Sequence, residues 1–302
     1  MERKYKIIGA ASGWGAKIRT CEEGPLFLKE RGCLEFLRER GKEVLDWEML
    51  YSLSTFKQKD IPLPQSLPLI AEFNGRLSDS VQHCLDQNIF PVVIGGDHGN
   101  AVGTWNGVFQ ALGQTGLIWI DAHMDAHTLE TTPSGAWHGM PLASLMGYGS
   151  RELVELKSRK PVLHPQQLCL IGTRSFEEGE AELLSRLQVK IYYIEEVKRR
   201  GFKVVLQEAI AHMHRVVPHY GVSLDVDVVD PSEAPGTGCC EPDGLSAREL
   251  LHALPIFARD RQLKAFELVE FNPHRDRDEK TFTLCREILN TVIPIAENKC
   301  TF

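Results

Sequence analysis

Short, nearly unbroken apolar runs recur along the chain: "YKIIGAA", "EVLDW", "FPVVIGG", "GLIWID", "LCLIGTR", "VKIYYI", "GVSLDVD" and "KAFELVEFN". Between them lie stretches whose apolar positions recur with a helical period, such as Pro25–Arg40, Leu67–Gln87, Glu177–Leu187, Phe202–Arg215 and Ala247–Arg259. A strand that is apolar on both faces must be covered on both faces. Eight such runs separated by helices therefore predict an α/β fold with a parallel sheet of about eight strands. No internal repeat, low-complexity tract or Gly/Ser linker interrupts the pattern, and the proline-rich "IPLPQSLPL" reads as an internal connection. The expectation is one domain over residues 1–302.

Composition narrows the function classes. The net charge is -7, with acids spread along the chain and no basic stripe, so nucleic acid is not an expected partner. No apolar stretch approaches membrane-spanning length. The N-terminal "MERKYKIIGA" passes from charge directly into a strand-like run, which argues against a signal peptide. Eight cysteines show no CxxC pair and no regular spacing, which points away from a zinc module or disulfide framework and towards a reduced, cytoplasmic protein.

In open α/β sheets, ligands bind beyond the carboxyl ends of the strands. Four runs end in unusual polar groups: Asp97 and His98 after "FPVVIGG", Asp121, His123 and Asp125 in "IDAHMD", Asp225, Asp227 and Asp230 in "SLDVDVVD", and Glu270 with Asn272 in "VEFN". Residues two apart in a strand face the same way, so the period-two spacing predicts that Asp121, His123 and Asp125 point together, as do Asp225 and Asp227. Carboxylates gathered in this way repel one another unless a cation neutralises them. A mixed Asp/His set without Cys suits hard-to-borderline divalent metals such as Mn²⁺. Six ligands suit two ions sharing bridging carboxylates, which can activate a water at neutral pH. Asp97 and Asp230 read as caps or supporting groups. The "HMHRVVPH" histidines read as a helical surface, and "HRDRDEK" as an exposed helix start.

At these residues the sequence resembles the ureohydrolase family of arginase, agmatinase and their relatives. The matching motifs are "GGDHG", "DAHMD", "SLDVDVVDP" and "EFNP", in the family's order, with "IGA…EEGP" and "IGTR" as further likenesses. The resemblance covers nearly the whole chain. It implies a three-layer αβα fold and two Mn²⁺ ions per chain. His98, Asp121, Asp125 and Asp225 would hold one ion; Asp121, His123, Asp225 and Asp227 would hold the other, with Asp121 and Asp225 bridging. The family's nucleophile is a metal-bridging hydroxide, to which Asp125 would hydrogen-bond. Glu270 matches the guanidinium-binding Glu, and His138 in "SGAWHGMP" matches the proposed proton shuttle. A trimer or hexamer is also implied.

The loop "TTPSGAWHGMP" resembles the arginase branch, where it recognises an α-carboxylate. Thr132 and Ser134 fall at matching positions, as does His127, where arginases usually carry Asn. Glu177 falls where arginases have an Asp near the α-amino group, with Glu180 nearby. Ala136 replaces a usual Asn, and no Ser follows the His of "GGDHG". "APGTGCCEPDGLS" is closer to agmatinase, and Cys239 stands for the family's Thr beside the guanidinium. The leading expectation is hydrolysis of L-arginine to urea and L-ornithine; agmatine or another guanidino acid is the alternative substrate. A dinuclear metallophosphoesterase is a weaker reading, because the GNH[DE] and GHxH motifs that class needs do not occur. A non-catalytic regulator that keeps the fold is a third.

Overall fold

The computed structural model describes residues 3–52 and 61–296. Eight strands form one sheet: β1 Lys4–Ala11, β2 Val44–Tyr51, β3 Ile89–Gly95, β4 Gly116–Ile120, β5 Leu168–Thr173, β6 Lys190–Tyr193, β7 Tyr220–Asp225 and β8 Leu263–Val269. The order is β2-β1-β3-β8-β7-β4-β5-β6, and every pairing is parallel. Each run anticipated from the apolar pattern thus became a strand.

Alternation along the strands splits the core into two layers. Ile7, Val92, Ile118, Ile120, Val222, Leu224 and Phe266 face one side, under Val205, Leu206 and Ala209 of helix Phe202–Val216 and Ile288 of helix Lys280–Val292. Ile8, Val93, Leu117, Trp119 and Leu170 face the other, under Phe73 and Leu77 of helix Leu67–Asp86 and Trp105 of helix Ala101–Leu112. Burying both faces of the sheet is what makes three layers, αβα.

Three helix boundaries differ from the sequence expectation. The stretch expected as one helix, 25–40, is two, Gly24–Glu30 and Cys33–Glu39, parted at Gly32 with φ 74°. The stretch 247–259 is an α-helix only over Ala247–Ala253; a 3-10 helix follows at Leu254–Arg259. Pro255 has no N–H to continue the α-helical ladder. "IPLPQSLPL" contains a 3-10 turn, Leu63–Gln65, and the first residues of the next helix. Among the described residues, no helix is long and apolar enough to cross a membrane.

The chain builds outward on one side through β1 and β2, returns to β3, then jumps to β4 and builds outward through β5 and β6. β7 and β8 then fill the gap. The reversal between β3 and β4 opens a crevice at the strands' carboxyl ends. The four strands around it, β3, β8, β7 and β4, are neighbours.

Candidate metal centre and active site

The period-two ladder has a different cause from the one its spacing suggests. β4 ends at Ile120 and β7 at Asp225, so His123, Asp125 and Asp227 lie beyond the strands. The spacing is that of turns in which an Asp side chain accepts from the backbone two residues on. Asp121 Oδ1 accepts from His123 N at 2.7 Å, Asp225 Oδ1 from Asp227 N at 2.8 Å, and Asp97 Oδ1 from Gly99 N at 2.9 Å. The strand-alternation argument is therefore corrected: these residues converge because each chain turns on a carboxylate as it leaves the sheet. Asp125 and Glu270 hold left-handed φ angles of 47° and 65°. Such angles cost an L-residue roughly 1–2 kcal/mol, and they aim both side chains inward.

Five of the six candidate ligands form two groups with a shared member: His98, Asp121 and Asp225, and Asp121, His123 and Asp227; the sixth, Asp125, lies beside His98. His98 Nδ1 lies 3.1 Å from Asp121 Oδ2, 3.1 Å from Asp125 Oδ2 and 3.2 Å from Asp225 Oδ2. His123 Nδ1 lies 3.0 Å from Asp227 Oδ2 and 3.5 Å from Asp121 Oδ1. Two ligand atoms about 2.1 Å from one cation and at right angles are about 3 Å apart, so the spacing fits ligands around an ion.

The His98 surroundings test the fit further. Its Nε2 donates to Ser223 Oγ at 2.9 Å, and Ser223 donates to the buried Glu267 at 2.6 Å. Its ring stacks on Trp119 at 3.8 Å, and Trp119 Nε1 donates to Asp121 Oδ2 at 2.8 Å. With the proton on Nε2, Nδ1 presents a lone pair. That atom is buried and has no hydrogen-bond partner, although three carboxylates face it. A cation resolves this arrangement, and the outer partners fix the tautomer it needs. Burial, reinforced by neighbouring aspartates, raises the carboxyls of Asp125 and Asp225 above their ordinary range, as expected of a crowded acidic cluster without counter-charge. Asp121 runs the other way: the His123 imidazole beside it outweighs its burial and holds it low.

Beside the cluster, Glu270 Oε1 accepts from His98 N and faces His138 Nδ1, both at 2.9 Å. Burial opposes a charge on His138, but the Glu270 carboxylate outweighs it and raises the imidazole to about 9. Glu270 Oε2 is buried with no partner among the described residues. A Cβ at Gly238 would lie 3.2 Å from it, so glycine there leaves the oxygen room. These groups line one cavity of about 360 Å³, which also reaches Cys239 and Ser134.

The rim is arranged less as expected. His127 lines the cavity, yet its Nε2 is 2.9 Å from Glu177 Oε2 and 3.4 Å from Glu180 Oε1, and its Nδ1 is 3.1 Å from Thr131 Oγ1. Glu180, buried, accepts from the backbone of Ala126 and Glu177. Thr132 is not among the lining residues; its Oγ1 accepts from Gly135 N at 3.1 Å. Asp97 and Asp230 are caps, holding Gly15 N and Gly99 N, and Ser232 N, respectively. His212 and His214 lie on the surface of helix Phe202–Val216, and Asp276 of "HRDRDEK" accepts from Thr281 N and Phe282 N at the next helix start. Sequence reasoning passed over Trp119, Ser223 and Glu267. The available signal was a serine and a glutamate inside otherwise apolar strands.

The Arginase family profile matches residues 3–293. The arginase of Bacillus caldovelox is 35% identical over 293 residues, covering 96% of this chain and 98% of that one. Its crystal structure superposes with a TM-score of 0.89 at 33% identity, over 97% of this chain and 98% of that one. The arginase of Bacillus subtilis (strain 168) is 32% identical, covering 97% of this chain and 98% of its own. The Entamoeba histolytica arginase structure, solved with L-ornithine, gives a TM-score of 0.89 at 29% identity, covering 98% of this chain and 100% of that one. With its motifs, its sheet order and the strand-end cluster in accord, the chain belongs to the arginase family.

Proposed function

We propose that this chain, as one catalytic domain, hydrolyses the guanidino group of L-arginine to urea and L-ornithine with two Mn²⁺ ions. The observation that carries the reading is Glu270, which lines the cavity beside the Asp/His cluster and whose buried Oε2 has no donor among the described residues. It calls for a cationic N–H donor, which a guanidinium is. His98, Asp121, Asp125 and Asp225 would hold one ion and Asp121, His123, Asp225 and Asp227 the other. The carboxylate/imidazole set supports manganese. When bound, the ion pair supplies charge neutralisation and an activated water for attack on the guanidinium carbon.

Glu270 holds the guanidinium against the cluster and fixes which face is presented. Asp125 accepts a hydrogen bond at the reacting centre and orients the attack. His138 keeps Nδ1 on Glu270, leaving Nε2 to give a proton to the departing amine. Cys239 lines the side of the guanidinium cavity as a neutral wall. At the far end, Glu177 with Glu180 faces the α-ammonium, and Ser134, with Thr132 and His127 shaping the loop, faces the α-carboxylate.

The relatives favour arginase over agmatinase. A phosphate ester is disfavoured by the Glu270 carboxylate on the cavity wall, which would repel it. A cytoplasmic location accompanies the reading, supported by seven free cysteines among the described residues; the trimer or hexamer that the family resemblance implies is checked by light scattering. The test of function is urea release from L-arginine, agmatine and 4-guanidinobutyrate with Mn²⁺ present. A strong preference for L-arginine is expected. Comparable rates on all three would remove α-carboxylate recognition, and no urea from any would remove the reaction.

A further inference from the structure

L-Arginine carries two cationic ends and one anionic group, and the cavity has an obvious match only for the cations. Seven carboxylates and three histidines line it, against a single lysine and no arginine. The groups expected to meet the α-carboxylate are largely engaged elsewhere. His127 has both ring nitrogens on protein oxygens, and Thr132 is turned into its own loop. Ser134 remains on the wall; its oxygen accepts from Ala136 N at 3.1 Å and lies 3.4 Å from Thr132 Oγ1. One neutral donor facing an acidic cavity is a weak site for an anion.

The lysine is Lys17, at the exposed tip of the loop that follows β1. The loop is fixed on both sides of it. Gly15 N donates to Asp97 Oδ2 at 2.7 Å, and Gly15 O accepts from His138 N at 3.2 Å. Trp14 Nε1 donates to Ser52 Oγ at 2.7 Å, and the Arg19 guanidinium lies over the Trp14 ring at 4.1 Å. Lys17 is thus tied through backbone to the same two residues, Asp97 and His138, that flank Glu270. Among the described residues, the Lys17 side chain has no ion pair or hydrogen bond. A compact ammonium on a flexible stem can follow a carboxylate at the mouth.

Resting on the arginase reading above, we propose that Lys17 is the specificity residue that binds the substrate's α-carboxylate, with Ser134 as its neutral companion. The substrate then lies with its guanidinium on Glu270, its ammonium on Glu177 and its carboxylate on Lys17. A guanidino compound lacking the carboxylate leaves this ammonium unmatched, so discrimination comes from a loop after β1 and not from His127. The position is read from the lining of the cavity and its charge balance; neither the metal-ligand motifs nor the rim loop points to it.

The test compares Mn²⁺-loaded wild type with Lys17→Met on L-arginine and L-argininamide, whose carboxylate is replaced by a neutral amide. The ratio of kcat/KM for L-arginine over L-argininamide should fall about 10- to 100-fold in the variant, as expected for one lost charge-assisted hydrogen bond. The loss should appear in the KM for L-arginine, with kcat within about threefold, because the contact is present in substrate and transition state alike. Lys17→Arg should recover most of the ratio. An unchanged ratio, whether from equal losses on both substrates or from none, overturns the assignment. Failure of wild type to release urea from either compound overturns the arginase reading itself, a separate result.

Discussion

His98, Asp121 and Asp225, on the floor of the cavity, are at most 2% exposed, while the Glu177 side chain on the rim is 57% exposed. The floor is positioned by backbone. Each of its chains leaves a buried strand and turns on an Asp carboxylate, and Trp119, Ser223 and Glu267 buttress the candidate ligands from behind. The rim is positioned by side chains: His127 bridges Glu177, Glu180 and Thr131, with Thr132 and Ser134 stacked in one loop. Chemistry set by backbone tolerates little change. Specificity set by side-chain pairs can drift among relatives that share the same floor.

Four substitutions probe the contrast. On the floor, Asp121→Asn removes the carboxylate common to both ligand groups. Urea release should fall by more than about 10³-fold, and metal content by mass spectrometry should fall with it. Next, Glu270→Gln keeps shape but removes charge facing the guanidinium. It should cost about 10²- to 10³-fold in kcat/KM, as for a buried charge pair that loses one partner, with metal content unchanged. Loss of metal as well would mean Glu270 belongs to the floor's ligand frame.

At the rim, His127→Asn frees Glu177 from its imidazole partner. KM for L-arginine should move by less than about tenfold, with metal content intact; a collapse of metal content would erase the distinction between floor and rim. Far from both, Glu208 calibrates an ordinary surface charge. Hydrogen bonds from Arg200, then Lys190, hold its carboxyl at about 2, below its unfolded value. The sign follows: the contribution is present above the unfolded value, near pH 4.5, and is lost as pH falls towards 2. Because the pair is exposed and screened, Glu208→Gln should cost only about 0.5 kcal/mol at neutral pH. Denaturant melts of both proteins at pH 7 and below pH 3 should show that gap closing.

Much of the floor was legible in the sequence. Asp and His at the ends of apolar runs have few structural explanations, and the sheet brought four such ends together. The local geometry was not legible, because a period of two fits an Asp-accepting turn as well as a strand. Nor was the buttress behind His98, since Ser223 and Glu267 lie inside apolar strands where only the three-dimensional pairing gives them a purpose. The rim was half legible. Its residues were named from the loop, but whether a ring nitrogen is free depends on side chains fifty positions away, as Glu177 is from His127. Lys17 carries no local signal at all: a lysine in a loop acquires meaning only once the cavity's charges are counted.

The most direct test of the central claim, that the strand-end carboxylates and imidazoles form a two-cation centre with a shared Asp121, is the metal stoichiometry. Chelator-stripped wild type, titrated with Mn²⁺ by calorimetry, should bind two equivalents per chain, each coupled to an increase in Tm as the crowded carboxylates are neutralised. A single equivalent, or none, would contradict the account.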